Sequence, residues 1–164
     1  MAGLRVSVAE LRRRVGTRRP YQRSVHIPIG EVAGTRVPLE GEVALDLQLE
    51  SVLEGVMVTG SIDAPWSAAC RRCLDPIEGS VEIEVRELFE RDSTPGETYP
   101  LGDDEIDLEP LVRDAVLLAL PLAPLCREDC RGPDPERFPA MTESDDEPPA
   151  VDPRWAALGE LHFD

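Results

Sequence analysis

Val43, Leu45, Leu47 and Leu49 alternate with Ala44, Asp46, Gln48 and Glu50. That period of two sends every large apolar side chain to one face of an extended strand. The pattern returns over residues 77–90, where Val81, Ile83, Val85 and Leu88 stand against Glu82, Glu84, Arg86 and Glu87. Between them, residues 56–64 read as a returning strand that reverses at Glu54-Gly55 and is interrupted at Gly60 by a bulge. Three consecutive segments of this kind restrict the chain to an antiparallel meander with one buried face.

The rest of the chain frames that meander. Residues 4–14 fit a short strand and one turn of helix, stopped by Gly16 and Pro20. Residues 65–76 read as the connection between the second and third long strands. Residues 91–105 are polar, with proline and glycine, and read as a loop. A helix is predicted near residues 108–120: Asp107 can cap it, Glu109 suits its positive end, and Pro110 lies in the first turn. Leu108, Leu111, Val112, Ala115, Val116, Leu118 and Ala119 give it a broad apolar stripe, and Pro121 ends it. Aromatics are only 4% of residues, so the core must be aliphatic. The fold class is therefore α+β: mainly an antiparallel β meander or partly open barrel with one packed C-terminal helix and a cysteine knuckle.

Four stretches follow from composition. Residues 1–23 form an arginine-rich N-terminal segment and 24–131 a β-rich domain carrying the cysteines. Residues 132–151 are an acidic, proline-rich linker expected to be disordered. Residues 152–164 make a short helix with Trp155, Leu158 and Leu161 at helical spacing, which docks on the body or on a partner.

The charge is divided between these stretches. The chain carries a net charge of −16, yet residues 1–23 hold seven arginines and a single acid, Glu10. An acidic body repels a phosphate backbone, so any RNA contact is expected at Arg12, Arg13, Arg14, Arg18 and Arg19. Every basic residue is arginine, which suits bidentate phosphate contacts. No apolar run is long enough to span a bilayer. Arginines without a following apolar stretch do not make a secretory signal. A transit peptide is the less fitting reading of this end, so a cytoplasmic location is expected, where thiols stay reduced and open to metal.

All four cysteines come in two close pairs, Cys70-Arg-Arg-Cys73 and Cys126-Arg-Glu-Asp-Cys130. Two thiols separated by a tight turn can grip one metal, and zinc favours four such ligands in a closed tetrahedron. The expectation is one shared structural zinc on Cys70, Cys73, Cys126 and Cys130. A degenerate site with free thiols is a second reading, and thiol redox chemistry a third, although this CxxC does not open a helix after a βα turn. The histidines, His26 and His162, stand near the chain ends and outside any paired ligand spacing. There is no glycine-rich phosphate loop and no G-x-S-x-G elbow, so neither catalysis nor a small-molecule substrate is expected.

Taken in order, Cys70-Arg-Arg-Cys73-Leu-Asp-Pro76, the run from Asp107 to Pro121, Leu125-Cys-Arg-Glu-Asp-Cys-Arg-Gly132 and Asp152-Pro-Arg-Trp-Ala-Ala-Leu158 resemble the YceD family of large ribosomal RNA subunit accumulation proteins. The resemblance covers residues 20–161. It implies a bacterial, non-catalytic ribosome-biogenesis factor that supports accumulation of large-subunit (23S) ribosomal RNA. It also implies partners in the large ribosomal subunit precursor, through rRNA or a ribosomal protein, and makes the four cysteines candidate metal ligands. The rival expectation is an acidic protein-interaction module with a non-ribosomal partner.

Overall fold

The structure, a computed structural model, describes residues 3–137. Its centre is the expected meander: β5 (Val43–Ser51), β6 (Gly55–Ala69) and β7 (Pro76–Glu90) run antiparallel to one another. Register follows the hydrophobic pattern, with Leu45 opposite Ile62, Leu49 opposite Val58, and Val56 opposite Phe89. These side chains are buried on one face, while Asp46, Asp63, Glu82 and Glu84 are exposed on the other.

The flanking strands are β2 (Arg18–Val25), which pairs with β5, and a small hairpin of β3 (Glu31–Val32) and β4 (Thr35–Arg36), which meets β6 at Ser67. β2 and β7 do not pair, so the sheet is open and does not close into a barrel. Pro20 does not break the chain as expected. It lies inside β2, an edge strand, where a missing N–H is tolerated. The expected boundary between residues 23 and 24 also falls within this strand.

A second, two-stranded sheet joins β1 (Arg5–Ser7) to β9 (Glu105–Asp107), and a single 3-10 turn, Leu11–Arg13, follows β1. The region read as a loop over 91–105 thus carries β8 (Tyr99–Pro100), parallel to the end of β7, and the first residue of β9. α1 (Glu109–Ala119) packs Leu111, Val112 and Val116 into the core. The N-cap is Leu108 rather than Asp107 and carries no side-chain cap; Asp107, one residue earlier, accepts the Glu109 N–H on Oδ1 at 3.0 Å. Leu118, in contrast, is 88% exposed, so the apolar stripe is narrower than the sequence predicts.

Three expectations about the long strands are corrected. β6 runs on through Ala69, which shortens its connection to β7 to residues 70–75. The alternation of β7 does not shift phase at Leu88: Phe89 is the fully buried residue and stacks on Tyr99 with ring centres 5.2 Å apart. Gly60 marks no bulge either, since pairing with β5 runs unbroken through Gly60 and Leu47. It is needed for close approach: at φ +136°, a Cβ here would lie 2.1 Å from the Asp46 carbonyl oxygen. The linker read over 132–151 and the helix read over 152–164 fall, from residue 138 onward, outside the described residues.

Candidate metal centre

The β6–β7 connection is a tight knuckle. The Leu74 N–H donates to the Cys70 carbonyl at 3.0 Å, and the Cys70 N–H to the Asp75 carbonyl at 2.8 Å. Leu74 takes φ 65°, a left-handed conformation unusual for a side chain of its kind, and so turns the chain back into β7. The segment after α1 returns to this knuckle, where the Arg71 N–H donates to the Pro124 carbonyl at 3.0 Å. Thr35, fully buried on β4, holds the start of that segment through a 2.7 Å bond from Oγ1 to the Pro121 carbonyl.

These contacts bring both cysteine pairs together. Cys70 and Cys130 are buried with their sulfurs 3.8 Å apart, and the sulfurs of Cys73 and the exposed Cys126 lie 3.7 Å apart. All four Sγ atoms fall within 4.8 Å of one another, and theirs is the one such group of possible metal ligands among the described residues. Four thiolates at about 2.3 Å from one tetrahedral ion stand about 3.8 Å from each other. Donor type and spacing therefore fit a thiolate-bound metal ion.

Backbone N–H groups set the electrostatics. Those of Cys73, Arg72 and Cys126 face the Cys70 sulfur, the last two at 3.5 and 3.4 Å, and lower its pKa to about 6. At Cys73 the Asp75 N–H favours the thiolate, but lost hydration and the adjoining sulfurs outweigh it and push the thiol up to about 12. The neighbouring Cys130 thiol and burial raise Cys126 as well. One sulfur is thus ready as a thiolate, and the cluster as a whole resists holding several negative charges without a cation.

Two residues that sequence reasoning passed over hold the site together. Arg71 donates from Nε and Nη2 to the Leu122 carbonyl, at 3.3 and 3.0 Å, and from Nη2 to the Ala33 carbonyl. Arg72 donates from Nη1 to the carbonyls of Cys130 and Glu128, at 2.9 and 3.2 Å. One pair of cysteines therefore carries the arginines that tie down the other. The signal available in the sequence was the pair of long donors set between Cys70 and Cys73.

The arginines expected to meet RNA are not equivalent. Arg12 donates to the Asp103 carbonyl, Arg19 to the Ser7 carbonyl at 2.7 Å, and Arg18 pairs with Glu50 at 3.1 Å. Arg13 and Arg14 are exposed and make no side-chain hydrogen bond or ion pair with another described residue. No helix among the described residues is long and apolar enough to cross a membrane.

Fold and site together define a class: a small α+β protein with an open antiparallel sheet and a four-cysteine cluster at one hairpin tip. The chain belongs to the YceD family, since residues 58–162 match the family model described as "Large ribosomal RNA subunit accumulation protein YceD". It is 39% identical to the uncharacterized protein Rv2926c of Mycobacterium tuberculosis, over 95% of this chain and 80% of that protein. It is 36% identical to the uncharacterized protein ML1660 of Mycobacterium leprae, over 73% of this chain and 58% of that protein. With the uncharacterized protein YlbN of Bacillus subtilis it shares 28% identity, over 76% of this chain and 74% of that protein. No solved structure matches the chain.

Proposed function

We propose that this chain is a non-catalytic factor of large-subunit assembly, supporting the accumulation of 23S ribosomal RNA in the bacterial cytoplasm. The observation that carries the reading is the family match across residues 58–162, which takes in both cysteine pairs. The cysteines act as a structural clip rather than a reactive centre: they hold one zinc ion, which fixes the β6–β7 tip against the segment after α1. Of the five N-terminal arginines expected to meet RNA, Arg13 and Arg14 are the ones free to contact phosphate, while the acidic sheet face suits basic protein surface.

The test is the ratio of large- to small-subunit ribosomal RNA, with a sucrose-gradient profile, in cells with and without the gene. The expected result is a selective fall in large-subunit RNA that the intact gene restores. An unchanged ratio and profile would reject a role in large-subunit assembly.

A further inference from the structure

β7 is paired on one side along its whole length but on the other only at its end. β6 partners it from Pro76 to Glu90, whereas β8 meets only Phe89 and Glu90. Among the described residues, no strand pairs with the outer side of residues 76–88. An edge of this length presents a row of backbone donors and acceptors suited to another extended chain. At Gly79 the edge carries no side chain of its own; the Trp66 ring covers that position from the neighbouring strand.

The side chains around this edge specify what it can accept. Glu78, Glu82 and Glu84 are exposed on the open face, and no ion pair with another described residue engages them. Asp63 stands directly opposite Glu82 in the β6–β7 register, with both side chains exposed. Like charges in that relation destabilise a sheet, and a cation laid across them would relieve the repulsion. Their carboxylates do not converge into a metal site, because the cysteines form the one such group among the described residues. On the other face Val81 and Ile83 are only half-buried.

We propose that the outer edge of β7 accepts an extended, lysine- or arginine-rich strand from a partner protein. Backbone hydrogen bonds complete the sheet, alternate basic side chains stand beside Glu78, Glu82 and Glu84, and the intervening small apolar ones meet Val81 and Ile83. RNA does not fit, because carboxylates line the approach. A second copy would bring the same glutamates face to face. The chain's own residues 138–164 hold seven acids and one arginine, so they suit the edge no better. This inference does not rest on the ribosomal reading.

The experiment uses the full-length, metal-loaded protein and a ten-residue peptide of alternating lysine and valine. Binding is followed by titration at two salt concentrations, and backbone amide exchange is measured across β7. Expected are slowed exchange within residues 76–88 and binding that falls at least tenfold in Glu82→Gln/Glu84→Gln. Binding is also expected to be lost when the peptide is N-methylated at alternate amides. The double variant removes repulsion, so its fold is retained. Binding that ignores the glutamines or the N-methyl groups, or that leaves β7 exchange unchanged, overturns the proposal. So does a free protein that is already dimeric, with this edge protected.

Discussion

The sulfur of Cys130 lies 3.8 Å from that of Cys70, although 60 residues separate them in the chain. Both side chains are buried, and Cys73 and Cys126 complete the group toward solvent. Four converging sulfurs without a cation are a poor use of buried space, so the reduced protein is expected to take up one zinc per chain. Cobalt substitution should give the absorption bands of tetrahedral thiolate coordination. Cys70→Ser should lose most of the metal, and chelation should lower the unfolding midpoint, because a site absent from the unfolded chain adds its binding energy to folding. Metal analysis well below half an equivalent, with the thiols reduced, would sink this reading.

Arg71 offers a finer test. It touches no sulfur, yet it joins the knuckle to Leu122 and to Ala33 in the β3–β4 turn. Arg71→Ala should keep four ligands and one metal per chain but weaken metal affinity by about 10–100-fold, as losses of supporting contacts around metal ligands do. Chelator competition measures this directly. Equal affinity in the variant and the parent would mean that the cysteines hold their geometry unaided.

At the opposite end of β6 and β7, the arginines divide by what already occupies them. Arg13→Gln/Arg14→Gln should weaken RNA association and reduce its salt dependence, by about 0.7 in log–log slope for each single-strand phosphate contact removed. Arg12 and Arg19 are engaged with backbone carbonyls. Their replacement should lower stability by about 1 kcal/mol each, the usual net worth of an intramolecular hydrogen bond. RNA binding measured across a salt series separates the two outcomes. An unchanged slope in the double variant would remove this end from the RNA contact.

How much of this was legible follows from the range of the forces involved. The meander could be read because Val43, Leu45, Leu47 and Leu49 obey a local rule, and one buried face enforces it. The start of α1 was equally local, resting on Asp107 two residues ahead of the amide it accepts. Leu118 was misread because a helical stripe gives no sign of how wide the facing sheet is. The strand at Arg18–Val25 was not read, and Pro20 was taken for a stop, because its pairing is settled by β5, far along the chain. The cysteine pairs named their own chemistry, but the bonds from Arg71 and Arg72 that set their distance arise only once the chain has folded back.

Tyr99 links stability to pH. Its hydroxyl donates to Asp114 Oδ2 at 3.1 Å. Partial burial, with the nearby charges of Asp114 and Glu87, pushes its pKa up to about 12. An unfolded tyrosine titrates near about 10, so between these values the folded protein keeps a proton that the unfolded chain releases. This contribution is fully present below about pH 10 and is lost as pH rises toward 12. Tyr99→Phe keeps the ring beside Phe89 but removes the titrating group. Denaturant midpoints between about pH 9 and 12 should therefore fall less steeply in the variant. Every other group is common to both proteins, so the difference between the two curves isolates Tyr99. Parallel curves would show that the Tyr99 hydroxyl titrates alike in the folded and unfolded chain.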